Sequence, residues 1–235
     1  MKLLEKAASL LRRADRAVLD LLYPRGAVCL NCGRLSGGDA LCSACREELD
    51  RVRLERQKGP VLSCWAYDGP AGKLVRQLKE NGAELAAAVL ADGICQKAAA
   101  MGLPEDTVVT WVPMPRRRFL ERGRDHGKAL AEAVARGLGL QAALLLRRRK
   151  GSSGHTQRGL NREQRQRNVR GAFEPAAAEL PRQVLLVDDV LTTGATLRAC
   201  GQALREAGVE EIRMITATAA GRAAHTLPEE DGEAT

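Results

Sequence analysis

The sequence predicts an α/β fold, a parallel sheet flanked by helices, with a small N-terminal element built around four cysteines. Three observations predict it. Beyond residue 60, short aliphatic or β-branched runs alternate with Ala- and Leu-rich stretches of helical length, the pattern of successive strand–helix units. The run Val184–Val187 is apolar at every position, as befits a strand covered by helices on both faces. Two Cys-x-x-Cys pairs, Cys29/Cys32 and Cys42/Cys45, lie close together ahead of that region. A chain of 235 residues is long enough for one α/β domain with a small appendage.

Taken in order, residues 1–24 read as an amphipathic helix, with Leu3, Ala7, Leu10, Leu11, Ala14, Val18 and Leu22 along one stripe. Charges run throughout it, so it lacks the unbroken apolar stretch of a signal peptide. No apolar run reaches the ~18–20 residues of a membrane span, and the expected compartment is the cytoplasm. Residues 25–58 hold the cysteine pairs and a charged segment from Arg46, expected as a short helix and linker. The main domain is expected over residues 59–220. Its strands are Val61–Tyr67, Val108–Val112, Ala143–Leu146, Val184–Val187 and Ile212–Ala217. Its helices are Gly72–Glu80, Ala83–Ala100, Lys128–Leu138, closed by Gly139, and Ala195–Ala207. The polar stretch Arg147–Arg170 reads as a long loop, and residues 221–235 as an acidic unfolded tail.

The net charge of +8 is unevenly placed. Residues 116–170 carry 16 Lys/Arg against four acids, a balance of +12, which leaves −4 for the rest of the chain. A positive cluster of that size suggests a polyanionic ligand: a pyrophosphate, a nucleotide or nucleic acid. A solvated basic face is the plainer reading of any single Arg. His126 and His155 lie in basic segments and read as surface residues.

Each Cys-x-x-Cys pair can present two thiolates from one tight knuckle, and two knuckles make a tetrahedral four-thiolate zinc site from Cys29, Cys32, Cys42 and Cys45. A redox dithiol or two disulfides are the alternatives, and neither sits easily with two symmetric knuckles in a reducing compartment. Four protein ligands leave no open position, so the metal is expected to be structural. Cys64, Cys95 and Cys200 fall in apolar segments and read as core residues.

After Val184–Val187 come two acids, Asp188 and Asp189, and then Thr192, Thr193, Gly194, Ala195 and Thr196 at the start of a helix. In an open α/β sheet, ligands sit beyond the carboxyl ends of the strands. Gly194 permits a tight turn, and the loop amides and Thr hydroxyls can cradle a phosphate. Adjacent carboxylates would repel that phosphate but suit sugar hydroxyls as hydrogen-bond acceptors. No Gly-Lys-Ser/Thr follows, so this is not an ATP-hydrolysing loop. An acidic turn feeding a helix cap would share part of the pattern.

This segment resembles the phosphoribosyl-pyrophosphate motif of type I phosphoribosyltransferases. Cysteine knuckle, linker and that domain, in this order, resemble the ComF (competence protein F) family, over about Leu22 to Ala217. Further likeness lies in Tyr67–Lys79, in Val112-Pro113-Met114-Pro115 followed by Arg116, and in Leu160–Phe173 with Arg162, Arg165 and Asn168. Two departures stand out: Arg122-Gly123-Arg124-Asp125-His126 where the family usually reads Arg-Gly-Phe-Asn-Gln, and Gln157-Arg158 for its Gln-Thr. The resemblance implies that Asp188 and Asp189 meet the ribose hydroxyls and Thr192–Thr196 the 5-phosphate. It further implies a pyrophosphate or lid role for Pro113–Arg116, Arg162, Arg165 and Asn168, with magnesium on the diphosphate. Family members are linked to internalising single-stranded DNA in transformation, with a helicase-like translocase. A protein of this fold that performs no transfer and serves as a DNA-binding or adaptor module is the alternative.

Overall fold

Strand pairing fixes the architecture in the computed structural model, which describes residues 27–55, 57, 59–80, 83–149 and 171–221. Strands β1 (Val61–Ala66), β2 (Val108–Trp111), β3 (Gln141–Ala142), β6 (Gln183–Leu191) and β7 (Glu211–Ala219) form one sheet in the order β1-β7-β6-β2-β3. Every pairing in it is parallel. Strands β4 (Leu146–Arg148) and β5 (Phe173–Pro175) make a separate antiparallel pair. The helices are α1 (Ser43–Arg51), α2 (Gly69–Lys79), α3 (Ala83–Ala99), α4 (Arg116–Arg122), α5 (His126–Leu138) and α6 (Ala195–Glu206). The expected helix over 1–24, the loop residues 150–170 and the tail 222–235 lie outside the described residues.

Side chains alternate between the two faces of a strand, and β6 shows the consequence. Leu185 and Val187 join a core with α2, α3 and α5, whereas Val184 and Leu186 join a second core with α6, β4 and β5. Strand β7 divides likewise, Ile215 and Ala217 to the first core and Met214 to the second. The aromatic-poor sequence fills both cores with Leu, Val and Ala. One exception is Trp65 of β1, 2% exposed, packed so closely on α3 that a Cβ at Gly93 would lie 1.9 Å from its ring.

Element boundaries move for local reasons. Helix α2 starts at Gly69 because the Asp68 side chain accepts its N–H at 2.8 Å and Pro70 stands in its first turn. Helix α5 starts at His126 because Asp125 caps it, accepting the Lys128 N–H at 3.1 Å. The strand expected over Ala143–Leu146 is not one element. Residues 141–142 end the main sheet, and the chain re-enters extended pairing only at Leu146, in β4. Helix α4 is unforeseen: it opens after Pro115 and ends at Gly123, φ 68, whose N–H bonds the Phe119 carbonyl at 2.8 Å.

The cysteine element docks on α2. Gln77 donates to the Leu30 carbonyl at 2.7 Å and Lys73 to the Asn31 carbonyl, while Cys29, Leu41, Cys45 and Leu49 extend the first core. The linker then runs along the outer edge of β1, with the Leu54 N–H on the Cys64 carbonyl at 2.9 Å and the Ala66 N–H on the Val52 carbonyl at 2.8 Å. A sheet edge that would otherwise be open is thereby closed.

Candidate functional site

The chain leaves β2 towards β3 through α5, on the first core's face, and leaves β6 towards β7 through α6, on the second. Between these diverging connections, adjacent carboxyl ends of a parallel sheet leave a crevice where ligands bind. The register places Trp111 beside Val187, so the segment Pro113–Arg116 and the segment Asp188–Thr196 border that crevice together. Pro113 is buried, Met114 and Pro115 are half-buried and Arg116 is exposed.

Strand β6 does not stop at Val187. Asp188, Val190 and Leu191 pair with Thr216, Thr218 and Ala219 of β7, so both acids belong to a strand and face opposite ways. Asp189 turns to the first core's face. Lys79 Nζ, from the last turn of α2, stands 2.8 Å from its Oδ2, and His126 Nε2, from the first turn of α5, stands 3.2 Å away. Both groups stand within ion-pair distance of a carboxylate oxygen that makes no well-aligned hydrogen bond among the described residues. Burial would raise the Asp189 pKa, but His126 and Lys79 outweigh it and hold the carboxyl below its ordinary range. Arg122 Nη1 lies 3.3 Å from His126 Nδ1. A guanidinium only donates, so Nδ1 accepts and the ring hydrogen sits on Nε2, toward Asp189. His126, expected at the surface, is therefore an interior residue with 15% of its side chain exposed.

Asp188 turns to the second face and is half-buried. Its Oδ1 accepts the Asp189 N–H at 2.9 Å. Burial, and then the negative charge of Asp189, push its pKa up to about 7, against the opposing pull of Lys79 and Arg148. Arg148 of β4 stacks on the Phe173 ring at 4.7 Å and donates to the Pro113 carbonyl at 3.0 Å. It thus ties the β4–β5 pair to the β2 end of the crevice.

In the loop, Thr192 is exposed and Thr193, Ala195 and Thr196 half-buried. Gly194 is buried with φ 69, where a Cβ would meet Arg198 Nη1 at 2.9 Å and Leu191 Cδ1 at 3.3 Å. The Ala195 N–H bonds Thr193 Oγ1 at 3.4 Å, and Arg198 Nη2 donates to the Thr193 carbonyl at 2.8 Å. Arg198 and Arg148 were not singled out from sequence; Lys79 entered only as the end of the segment Tyr67–Lys79, and His126 only as a surface residue. Arg162, Arg165, Asn168 and His155 lie outside the described residues.

At the other end, the sulfurs of Cys29, Cys32, Cys42 and Cys45 lie within 4.8 Å of one another and can hold one metal ion. Cys32 and Cys42 are 3.8 Å apart, about the edge of a tetrahedron with ~2.3 Å metal–sulfur bonds. Burial raises the Cys29 thiol, but nearby backbone N–H groups, those of Cys32 and Cys42 first, bring it down to about 6. Asn31 Nδ2 donates to Cys45 at 3.2 Å, which lowers that thiol, yet burial and the other three sulfurs push it to about 12. Four thiolates so close need a cation among them. Cys64 and Cys200 are fully buried core residues and Cys95 packs half-buried against α5.

The chain is similar to proteins already known. The phosphoribosyl transferase domain family matches residues 125–233. Competence protein F of Haemophilus influenzae is 37% identical over 115 residues, 48% of this chain and 49% of that protein, so the match spans about half its length. DNA utilization protein YhgH of Salmonella typhi is 30% identical over 204 residues, 81% of this chain and 83% of that protein. Among solved structures, glutamine phosphoribosylpyrophosphate amidotransferase from B. subtilis is 22% identical over 63% of this chain and 30% of that one, with a TM-score of 0.41.

The raised pKa of Asp188 makes a testable statement about stability. Its contribution is fully present below the ordinary value of 3.8 and is lost as pH rises through about 7, where the ionised carboxyl stays half-buried beside a like charge. In ligand-free protein, Asp188→Asn is expected to melt above the wild type at about pH 8 and to lose that advantage near pH 5. Thermal denaturation across this range checks it; a pH-independent difference would show that the carboxyl ionises without penalty.

Proposed function

The chain belongs to the ComF family, that of competence protein F and DNA utilization protein YhgH, and on that premise we propose that its crevice binds a phosphoribosyl (pyro)phosphate in the handling of single-stranded DNA. The observation that carries the reading is Gly194 and its flanking threonines, at a helix start beside two strand-borne carboxylates. Thr192, Thr193, Gly194, Ala195 and Thr196 supply amides and hydroxyls to the 5-phosphate, aided by Arg198. Asp188 and Asp189 close the ribose end, and Pro113–Arg116, with Arg162, Arg165 and Asn168, serve the pyrophosphate. Magnesium would come on the diphosphate and neutralise it as a leaving group, and the half-buried Asp188 is a hard oxygen donor suited to the same end. Positioning and charge neutralisation then carry any transfer, with no protein nucleophile required. Zinc, by the donor set, fills the four-cysteine cluster as a structural ion.

A second reading, DNA binding without transfer, is favoured by α4. None of its seven residues is buried; Phe119 is 46% and Leu120 72% exposed. Arg117 pairs with Glu121 at 2.8 Å, while no ion pair engages Arg116 or Arg118 among the described residues. A row of arginines beside an exposed ring suits a phosphate backbone with stacking bases. The basic run at Arg147–Arg149 is less available. Arg147 and Arg149 share Glu174 at 2.9 and 3.3 Å, and Arg148 turns inward. A helicase-like translocase is the proposed partner in that setting.

Calorimetry with phosphoribosyl pyrophosphate and magnesium is expected to show binding that Gly194→Ala weakens about tenfold or more, since the new Cβ strains the loop. A wild type that releases no heat sinks the ribose-phosphate reading. Elemental analysis should return one zinc per chain, and chelation should lower the melting temperature; metal removal that leaves melting unchanged would rule out a structural ion. For DNA, Arg116→Glu with Arg118→Glu and Phe119→Ala is expected to weaken single-strand binding about tenfold at low salt, more than Arg147→Glu does. Equal mobility shifts for all variants would remove α4 from the interface.

A further inference from the structure

The two acids of the motif are neighbours in sequence but not in function. Their surroundings place them on opposite faces: Asp189 meets Lys79 and His126 on the first core's side, Asp188 lies near Arg148 and Cys200 on the second, and the alternation resets after Asp189, with Val190 returning to the first core and Leu191 to the second. On the first face, Asp189 is 7% exposed and meets charged or polar groups from two helices: Lys79 at 2.8 Å and His126 at 3.2 Å. The Asp189 backbone carbonyl accepts the Thr218 hydroxyl at 3.0 Å from the other face of β7, that of Met214, where Ser63 Oγ and Thr216 Oγ1 lie 2.7 Å apart. On the second face, Asp188 shares its side of the sheet with α6, whose first turn carries the phosphate loop, and with Arg148. Asp188 therefore lies on the side of the sheet from which that loop and α6 rise.

We infer that Asp189 is an internal anchor, held by Lys79 and His126 as positioning residues, and that Asp188 alone reads the ribose hydroxyls. The backbone N–H of residue 189 donates to the Asp188 carboxylate at 2.9 Å, so holding the β6 backbone at Asp189 also holds Asp188. With Arg122 on Nδ1, the His126 imidazole presents its Nε2–H toward Asp189, and a glutamine amide could present an N–H in the same place. Lys79 supplies the charge. Removing it would leave a buried carboxylate unpaired, which costs far more than an exposed ion pair is worth.

The ligand arm of this inference rests on the phosphoribosyl reading; the stability arm does not. The full-length protein is melted, and titrated with ribose 5-phosphate and with inorganic phosphate at a temperature where every variant is folded. Asp188→Asn should reduce the preference for ribose 5-phosphate over phosphate about tenfold without lowering the melting temperature. Asp189→Asn and Lys79→Met should each lower the melting temperature by an amount on the order of 10 °C, and the double variant should recover part of that loss. His126→Ala should weaken ribose 5-phosphate binding about threefold, and His126→Gln should restore it. An Asp189→Asn variant that melts like the wild type but loses the sugar preference overturns the inference, as does a His126→Gln no better than His126→Ala. A wild type with no preference for ribose 5-phosphate refutes the phosphoribosyl reading instead, and the melting series still judges the anchor.

Discussion

A carboxylate taken out of water needs a cation, and Asp189 has one in Lys79 at 2.8 Å. Three separate elements meet at that contact: the strand β6, the C-terminal turn of α2 and, through His126, the N-terminal turn of α5. Each end favours its occupant. Lys79 sits where the α2 dipole is negative, and Asp189 faces the positive end of α5. The crevice therefore takes its shape from an interaction that a ligand need never touch.

The same helix carries the docking of the cysteine element. Lys73 and Gln77 lie one turn apart and donate to the carbonyls of Asn31 and Leu30, while Lys79 reaches Asp189. Asn31 in turn donates to the Cys45 sulfur. The four-cysteine knuckle and the candidate crevice are thus braced by one rod of 11 residues. The knuckle shares a core with α2 and the sheet, so the small element and the α/β domain fold around common apolar contacts.

Much of this was legible in the sequence because the signals were local. The apolar run Val184–Val187, the Thr-Thr-Gly-x-Thr loop and the two Cys-x-x-Cys pairs each declare their geometry within a dozen residues. What the sequence hid was tertiary. The extension of β6 through Asp188 and Asp189 comes from the matching length of β7, since carboxylates are poor strand formers on their own. His126 looked exposed among arginines, and only the packing of α5 against the sheet brings it to Asp189. Helix α4 had punctuation in Pro115 and Gly123, but seven residues without a buried face give no periodicity to detect. Arg148 seemed one of a basic run; a strand's alternation turns it inward and its neighbours outward.

Two like charges on adjacent residues would be a poor arrangement if both faced one cavity. Strand geometry separates them, and unequal surroundings then separate their protonation. Asp189, beside Lys79, stays ionised below the usual range, while Asp188, with its cation Arg148 engaged at Pro113, rises to about 7. One carboxylate is therefore committed to structure and the other is left responsive. That division suits the proposed phosphate site. A fully ionised acid pair would oppose the incoming anion, whereas one neutralised by lysine and another poised between charge states leave the loop amides and Arg198 to dominate the local field.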